Sequence, residues 1–422
     1  MAPKTIVVIG GGPGGIMAAW AGANAGSEVI LLEKNKRLGR KLLITGKGRC
    51  NVTNNSSVGD LVKAMVGNGK FLYGAFNDFS AADTIAWLEE SGVALKTERG
   101  KRVFPLSDRS GDIVEAMERR LKEAKVSLSY NAAVTGLIIK DGAVAGVNLG
   151  KEALEAGAVI IATGGLSYPA TGSTGDGYKL AQAAGHSLVP PYPALVPLLV
   201  KEKYVAELEG LSLRNAEILL KKNGKVLAKD FGEMVFTDFG LSGPVILTIS
   251  HLAGKHFSEP KAKPLELTIN LKPALSYEQL DQRLLRDFAS HSKRSYKTLL
   301  QDLLPKKLIP VFIRLSGIDP AKEGNQLNRE DRKMIIKLLR EFPFTVTGCR
   351  PIAEAIVTAG GVNIKEIDPK TMASKKLKGL YFAGEVMDIH GVTGGFNIQA
   401  ALSCGYRSGK EAAEYIRGKY GT

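Results

Sequence analysis

Cysteine, histidine and tryptophan are scarce in this 422-residue chain, at 3, 5 and 2 copies. Cys50, Cys349 and Cys404 are far apart and odd in number, and no C-x-x-C pair occurs. That pattern excludes a disulfide framework, a dithiol redox centre and a cysteine zinc site. A reducing cytosol is the simplest compartment for it. His186, His251, His256, His291 and His390 have no ligand-like spacing, so no metal is expected. No apolar run reaches the roughly 18 residues of a membrane span. An apolar strand begins at Thr5, which leaves no room for a signal peptide. The expectation is a cytoplasmic protein with no membrane partner. Internal repeats and low-complexity segments are also missing.

Glycine and positive charge are plentiful, at 48 glycines and a net +15. Residues 190–347 hold +7 of that excess and the rest of the chain +8, so it is diffuse. One cluster stands out: Lys34, Lys36, Arg37, Arg40, Lys41, Lys47 and Arg49 follow one another with no acid among them. Such a patch suits nucleic acid. Its neighbourhood points instead to cofactor phosphates or an anionic small substrate, and nucleic acid is not the expected partner.

That neighbourhood is residues 4–34. Thr5–Ile9 is a short apolar run rich in β-branched residues, as in a buried parallel strand. Gly10, Gly12 and Gly15 then fit G-x-G-x-x-G, with Pro13 and Gly14 between them. An Ala-rich helical stretch and a second apolar strand follow, ending in Glu33. This is the context the motif requires. The first glycine permits the tight turn, the second lets a pyrophosphate approach the backbone, and the third lets helix pack on strand. The helix N-terminus then offers free N–H groups to the phosphates. Glu33, 18 residues after Gly15, is placed to accept hydrogen bonds from ribose hydroxyls and disfavours a 2′-phosphate, so FAD or NAD is expected over NADP.

Further along, Leu38–Asn51 is expected as a basic loop around the cofactor. Ser80 is expected to cap a helix through Glu90, and Gly111–Glu123 to form another. Val126–Ile161 has the pattern of a β-meander turning at Asp141-Gly142. It ends in a strand that runs into Ala162, Thr163 and Gly164, and Asp176 is expected to cap the next helix. Pro190, Pro191, Pro193 and Pro197 suggest a domain boundary. Residues 198–272 are strand-like, and 277–315 and 328–342 helical in period, with Asn328 and Asp331 as a capping pair. Strands return at Ala355–Thr358 and Leu380–Ala383, before a final helix from about Ile398. The fold class is therefore α/β: a GR2-like Rossmann FAD-binding domain, a parallel sheet plus β-meander, from residues 1–190 and 348–422. Inserted in it are a β-rich subdomain, 191–275, and a helical subdomain, 276–347, expected to cover the substrate.

Several separated motifs carry a resemblance. The opening glycines, Ala162–Gly165 and Tyr381-Phe382-Ala383-Gly384-Glu385 resemble the three fingerprints of two-dinucleotide-binding-domain flavoproteins, with Gly384-Glu385 where Gly-Asp is usual. Gly46–Asn54, Phe236–Pro244 and Gly394–Gln399 resemble the YhiN/BaiN-type bacterial flavoproteins, an NAD(P)/FAD-dependent oxidoreductase or aminoacetone-oxidase-like family, over essentially the whole chain. The resemblance implies non-covalent FAD, with Gly10, Gly12, Pro13, Gly14 and Gly15 at the pyrophosphate and Glu33 with Lys34 at the adenosine ribose. Gly39, Arg40, Lys41, Gly46, Gly48, Arg49, Cys50 and Asn51 would surround the ribityl chain and the ring. Val134 would meet the adenine, and Ala162, Thr163 and Gly164 would form the second strand end. Gly384, Glu385, Gly395, Phe396, Asn397 and Ile398 would close over the ring, the last group aiming a helix N-terminus at flavin O2. Gly172–Gly185 also resembles fumarate-reductase-type flavoproteins, some of which tether FAD through histidine. The first histidine here is His186, past the cofactor loops, so covalent FAD is not expected.

The expected activity is hydride transfer through FAD between a nicotinamide, bound transiently, and a small organic substrate such as an activated C=C or an amine. Only one complete Rossmann fingerprint is present, so no second nucleotide domain is expected. No catalytic residue is assigned. His390 is the best-placed proton carrier, and a structural role serves it equally well. Cys50, Arg49, Tyr168 and Tyr192 are as readily packing or structural residues. Two alternatives stay open: a flavin-dependent RNA-modifying protein, and a flavin-binding sensor with low turnover.

Overall fold

The computed structural model describes residues 4–420. They form two compact units, residues up to Ala194 with Ile352 onward, and Leu195–Pro351. The first is built on five parallel strands: β1 (Thr5–Ile9), β2 (Glu28–Glu33), β3 (Ser127–Tyr130), β4 (Ala158–Ile161) and β5 (Leu380–Phe382). Their order is β5-β4-β1-β2-β3. In β1 and β4 nearly every side chain is buried, as a parallel sheet covered on both faces demands. The chain segment expected as one meander divides. Ser127–Tyr130 joins the parallel sheet beside β2, and only Gly136–Lys140, Ala143–Leu149 and Glu152–Glu155 form the meander.

Helix α1 (Pro13–Asn24) and helix α2 (Phe396–Tyr420) pack together through small residues four apart. A Cβ on Gly405 would lie 2.2 Å from the Gly14 carbonyl oxygen, and one on Gly409 would lie 2.1 Å from that of Ala18. The two backbones touch where side chains would otherwise keep helices about 8–10 Å apart.

Other local expectations are met or corrected. Ser80 caps Ala81–Glu89 in a reciprocal capping box with Asp83. Leu38–Asn51 is not all loop, because Arg40–Ile44 is a short helix. Gly175 occupies the N-cap expected of Asp176, whose carboxylate binds Lys34 instead. The prolines at 190, 191 and 193 lie inside a strand, Leu188–Ala194, paired antiparallel with Val357–Val362. The register slips between Val189 and Tyr192, and that bulge tolerates prolines that cannot donate to the ladder. The strand expected at Ala355–Thr358 is Val357–Val362, and Gly360 and Gly361 belong to it.

The second unit contains a closed barrel whose strand order is Leu198–Val200, Gly240–Ser242, Lys225–Phe236, Ser212–Lys222, Leu265–Asn270 and Phe342–Cys349. Pro244–Phe257, expected as strand, is a helix with proline in its first turn. Asn328 and Asp331 form the expected capping box of Arg329–Arg340. After that helix the chain returns to strand and completes the barrel. Barrel and helices share one hydrophobic cluster, including Ile218, Phe236, Leu284, Phe312 and Phe342.

Candidate functional site

Glycine, by having no side chain, shapes the carboxyl end of the parallel sheet. Gly15 is forced: its Cβ would sit 1.8 Å from the Gly10 carbonyl oxygen. Gly12 caps α1, and nothing lies within 4 Å of where its Cβ would be. The helix has no side-chain cap and no acid in its first turn. Its leading N–H groups and the positive end of its dipole therefore suit an added anion. At the end of β2, Glu33 is buried. Its Oε2 accepts from the Gly11 N–H at 2.7 Å, and its Oε1 from the Asn35 N–H at 2.8 Å and Asn35 Nδ2 at 2.6 Å. Val134 follows β3 on a segment whose Asn131 and Ala132 N–H groups donate to the carbonyls of Asn35 and Glu33. The structure thus brings the glycine turn, the acid and the Val134 segment together.

The basic cluster meets acids that the local sequence does not contain. Lys34 lies 2.5 Å from Asp176 Oδ2 and donates to Thr174 Oγ1 at 2.5 Å. Burial raises the Asp176 pKa, but the bonds from Lys34 and Thr174 outweigh it and hold the carboxyl below its ordinary value. Arg40 donates to Asn35 Oδ1 at 2.6 Å. Arg49 pairs with Glu98 at 2.8 Å and Asp108 at 3.4 Å, its guanidinium 4.0 Å from the centre of the Phe104 ring. Lys36, Arg37 and Lys47 are exposed. Cys50 is buried and left-handed in φ, and burial pushes its thiol up to about 11 against a lowering bond from Thr45. It carries no thiolate at neutral pH.

Lys41 belongs to a network spread over four segments. Its Nζ donates to Ser167 Oγ at 2.5 Å and lies 3.1 Å from Glu385 Oε2. Glu385 Oε1 also accepts from Ser167 Oγ at 3.0 Å and the Thr358 N–H at 2.8 Å. Thr358 Oγ1 accepts the N–H groups of Leu166 and Ser167 at 2.8 and 3.0 Å. Sequence reasoning named Lys41 and Glu385 but missed Ser167 and Thr358.

The second helix N-terminus is also crowded. Gly395 has φ +95°, and a Cβ there would lie 2.4 Å from the Thr53 carbonyl oxygen. Asn397 holds its own loop: its Oδ1 accepts from the Gly391 N–H at 2.7 Å, and its Nδ2 donates to the Gly391 and Val392 carbonyls. Below them Gln399 is wholly buried and fully bonded. Its Oε1 accepts from Thr53 and Thr84 hydroxyls at 2.5 and 2.8 Å, and its Nε2 donates to the Phe79 carbonyl and Ser403 Oγ. His390 lies on the same connection, its ring 6.1 Å from that of Tyr192 and near-perpendicular. Burial, then the Asp388 charge, pushes the Tyr192 phenol up to about 12. Tyr178 is raised likewise by burial, then by Glu385 and Asp388.

Asn51 Oδ1, Thr163 Oγ1 and Tyr178 OH are buried with no hydrogen-bond partner. Unpaired buried polar atoms are costly, and a bound polar ligand relieves them. With the open α1 N-terminus they fit a dinucleotide cofactor. Among the described residues no group of three or more His, Cys, Asp or Glu is placed to hold a metal ion, and no helix is long and apolar enough to cross a membrane.

A parallel sheet, its glycine turn and an acid closing the second strand define a Rossmann-type dinucleotide-binding protein. Residues 4–411 match the HI0933-like protein Rossmann domain, and the chain belongs to that family of flavoprotein oxidoreductases. It is 31% identical to a 3-dehydro-bile acid delta(4,6)-reductase of Clostridium scindens, over 97% of this chain and 99% of that one. It is 30% identical to a ribosomal RNA dihydrouridine synthase of Haemophilus influenzae, over 95% and 96%. Among solved structures it resembles a 3-ketosteroid delta1-dehydrogenase of Sterolibacterium denitrificans, with TM-score 0.53, 13% identity, and coverage of 97% and 100%. A flavocytochrome c3 fumarate reductase gives TM-score 0.52 at 18% identity, over 98% and 79%. These two likenesses concern the fold alone.

Proposed function

We propose that the chain binds FAD non-covalently and reduces a carbon–carbon double bond conjugated to a carbonyl. The observation that carries the cofactor is the uncapped α1 N-terminus behind a turn in which Gly15 admits no side chain. The two named relatives support the substrate class. One reduces the 4,6 double bonds of a 3-dehydro bile acid and the other makes dihydrouridine, and in both the bond saturated is conjugated to a carbonyl.

In this reading Gly10, Gly12, Pro13, Gly14 and Gly15 hold the pyrophosphate, Glu33 and Lys34 the ribose, and Val134 the adenine. Ala162, Thr163 and Gly164 form the second strand end. Gly39, Arg40, Lys41, Gly46, Gly48, Arg49, Cys50 and Asn51, with Gly384, Glu385 and Gly395–Ile398, surround the remainder. Bound FAD supplies hydride from N5, recharged by NADH or NADPH visiting transiently. The chain's own part is to position the ring, exclude water and direct dipoles: the α2 N-terminus favours negative charge near it by about 0.3–1 kcal/mol. Anaerobic mixing of the FAD-loaded protein with NADH or NADPH tests this, and bleaching of the visible flavin band is the expected result.

A second reading is favoured by the net +15 and by the ribosomal RNA relative: the conjugated bond is C5=C6 of a uracil in RNA. Dihydrouridine in treated RNA, detected by mass spectrometry, separates it from a small-molecule substrate.

A further inference from the structure

The helix Pro244–Phe257 ends in a turn that the following segment folds back to cover. Residues 258–264 contain Pro260 and Pro264, and Lys261 between them is left-handed at φ +60°. The return brings the Lys263 carbonyl within 2.8 Å of His256 Nε2. The helix end and this segment, with Lys222 and Asn223 at the tip of the neighbouring hairpin, line a cavity of about 190 Å³. The whole cavity belongs to the second unit.

His256 is the one buried side chain in that lining, 7% exposed. Its Nε2 faces a carbonyl, which only accepts, so Nε2 carries the proton of the neutral ring. Nδ1 is then a lone pair, and it is buried with no hydrogen-bond partner. An unmade bond at a buried acceptor is costly. Lys222, Lys261 and Lys263 share the lining with one acid, Glu259, which stands 3.9 Å from Lys222. Just outside, Glu266 is opposite Lys221 in the strand register. Among the described residues Lys261 and Lys263 have no ion-pair partner, so the balance left over is positive. Lysines near a helix C-terminus need no ligand to account for them, since they complement its dipole. The orphaned Nδ1 does need one.

These two demands select the occupant. A positive rim disfavours an ammonium and attracts an anion, while the Nδ1 lone pair requires a group that donates. Carboxylate, sulfate and phosphodiester groups carry no proton near neutral pH and leave Nδ1 unmet. A phosphate that keeps one proton meets both demands. Inorganic phosphate does so at neutral pH, and a phosphate monoester does so below about pH 6.

We infer that this cavity binds a hydrogen phosphate group, as the free ion or on a small monoester, with His256 Nδ1 accepting its O–H and Lys261 and Lys263 meeting its charged oxygens. The site does not depend on the flavin chemistry proposed above.

The test is isothermal titration calorimetry of the full FAD-loaded protein with inorganic phosphate and, separately, with sulfate at neutral pH. The variants are His256→Gln, which keeps a donor for the Lys263 carbonyl and removes Nδ1, and the surface double Lys261→Gln, Lys263→Gln. Melting temperature is the folding control. Wild type is expected to prefer phosphate about tenfold or more, the worth of one hydrogen bond to a charged group. His256→Gln is expected to bind both anions equally, and the double variant to bind neither measurably. Phosphate binding that both variants leave unchanged overturns the inference, and so does sulfate bound by wild type as tightly as phosphate. Absence of phosphate binding also overturns it and leaves water as the donor to Nδ1. A phosphate monoester titrated at about pH 6 separates the two sources. Heat with inorganic phosphate alone assigns the site to the free ion, and a monoester of equal or higher affinity assigns it to an organic phosphate.

Discussion

Lys41 and Glu385 are 344 positions apart in sequence, yet the ammonium lies 3.1 Å from the carboxylate and both touch Ser167. The pair ties the segment after β2 to the segment after β5, the two stretches proposed to enclose the flavin. Glu385→Gln keeps the shape but removes the charge that Lys41, Ser167 and the Thr358 N–H share. Hydrogen bonds to charged groups contribute about 1.5–3 kcal/mol. FAD retention is therefore expected to weaken by roughly ten- to a hundredfold, measured by fluorescence titration of the apoprotein.

Helices α1 and α2 meet with no side chain between them at Gly405, whose Cβ would lie 2.2 Å from the Gly14 carbonyl oxygen. Gly405→Val must push the helices apart and move the α1 N-terminus. A loss of about 1–3 kcal/mol is expected, together with loss of bound flavin. Thermal melting with and without FAD checks both.

Gln399→Leu leaves the Thr53 and Thr84 hydroxyls without their acceptor in a fully buried place, while the Ser403 hydroxyl keeps its own bond to the Phe79 carbonyl. Each orphaned buried group costs about 1–3 kcal/mol. The variant is expected to melt well below wild type, and Gln399→Glu no better, since it buries a carboxylate and sets an oxygen against the Phe79 carbonyl.

Acid should destabilise the first unit through Glu366 and His186. Burial raises the Glu366 pKa, but bonds from Lys376 and Ser187 outweigh it and bring the carboxyl from 4.5 to about 2. A depressed carboxylate stabilises the fold above its unfolded value, and that contribution fades as pH falls from about 4.5 toward 2. His186 is depressed chiefly by burial, so the unfolded chain takes up its proton first, and stability again falls with acid. Glu366→Gln is expected to lower the melting temperature at pH 7 and to approach wild type near pH 2–3, as read by circular dichroism melts across pH.

The local part of this fold was legible in the sequence because its signals are local. Thr5–Ile9, Gly10, Gly12, Gly15 and Glu33 stand in one continuous stretch, and the capping boxes at Ser80 and Asn328 each join residues three positions apart. What escaped was set by distant neighbours. Pro244–Phe257 opens with Val, Ile, Leu, Thr and Ile, a β-favouring composition, and only Gly243-Pro244 marked a helix start. Pro190 and Pro191 resembled a break because the bulge that accommodates them exists only beside Val357–Val362. The acids that meet Lys34, Lys41 and Arg49 lie on other segments, so a local charge count pictured an unpaired basic patch. Ser167 and Thr358 could not be found that way either, since their role exists only once four segments meet.

The most direct test is the oxidative half-reaction. Protein carrying reduced FAD is mixed without oxygen with a conjugated enone, a 3-oxo-4-ene steroid for example, and separately with uridine-containing RNA. Reoxidation of the flavin band with one equivalent of saturated product from either acceptor is the predicted result. A flavin that stays reduced with both and returns only on admitting oxygen would contradict the account, and so would a folded protein that takes up no FAD.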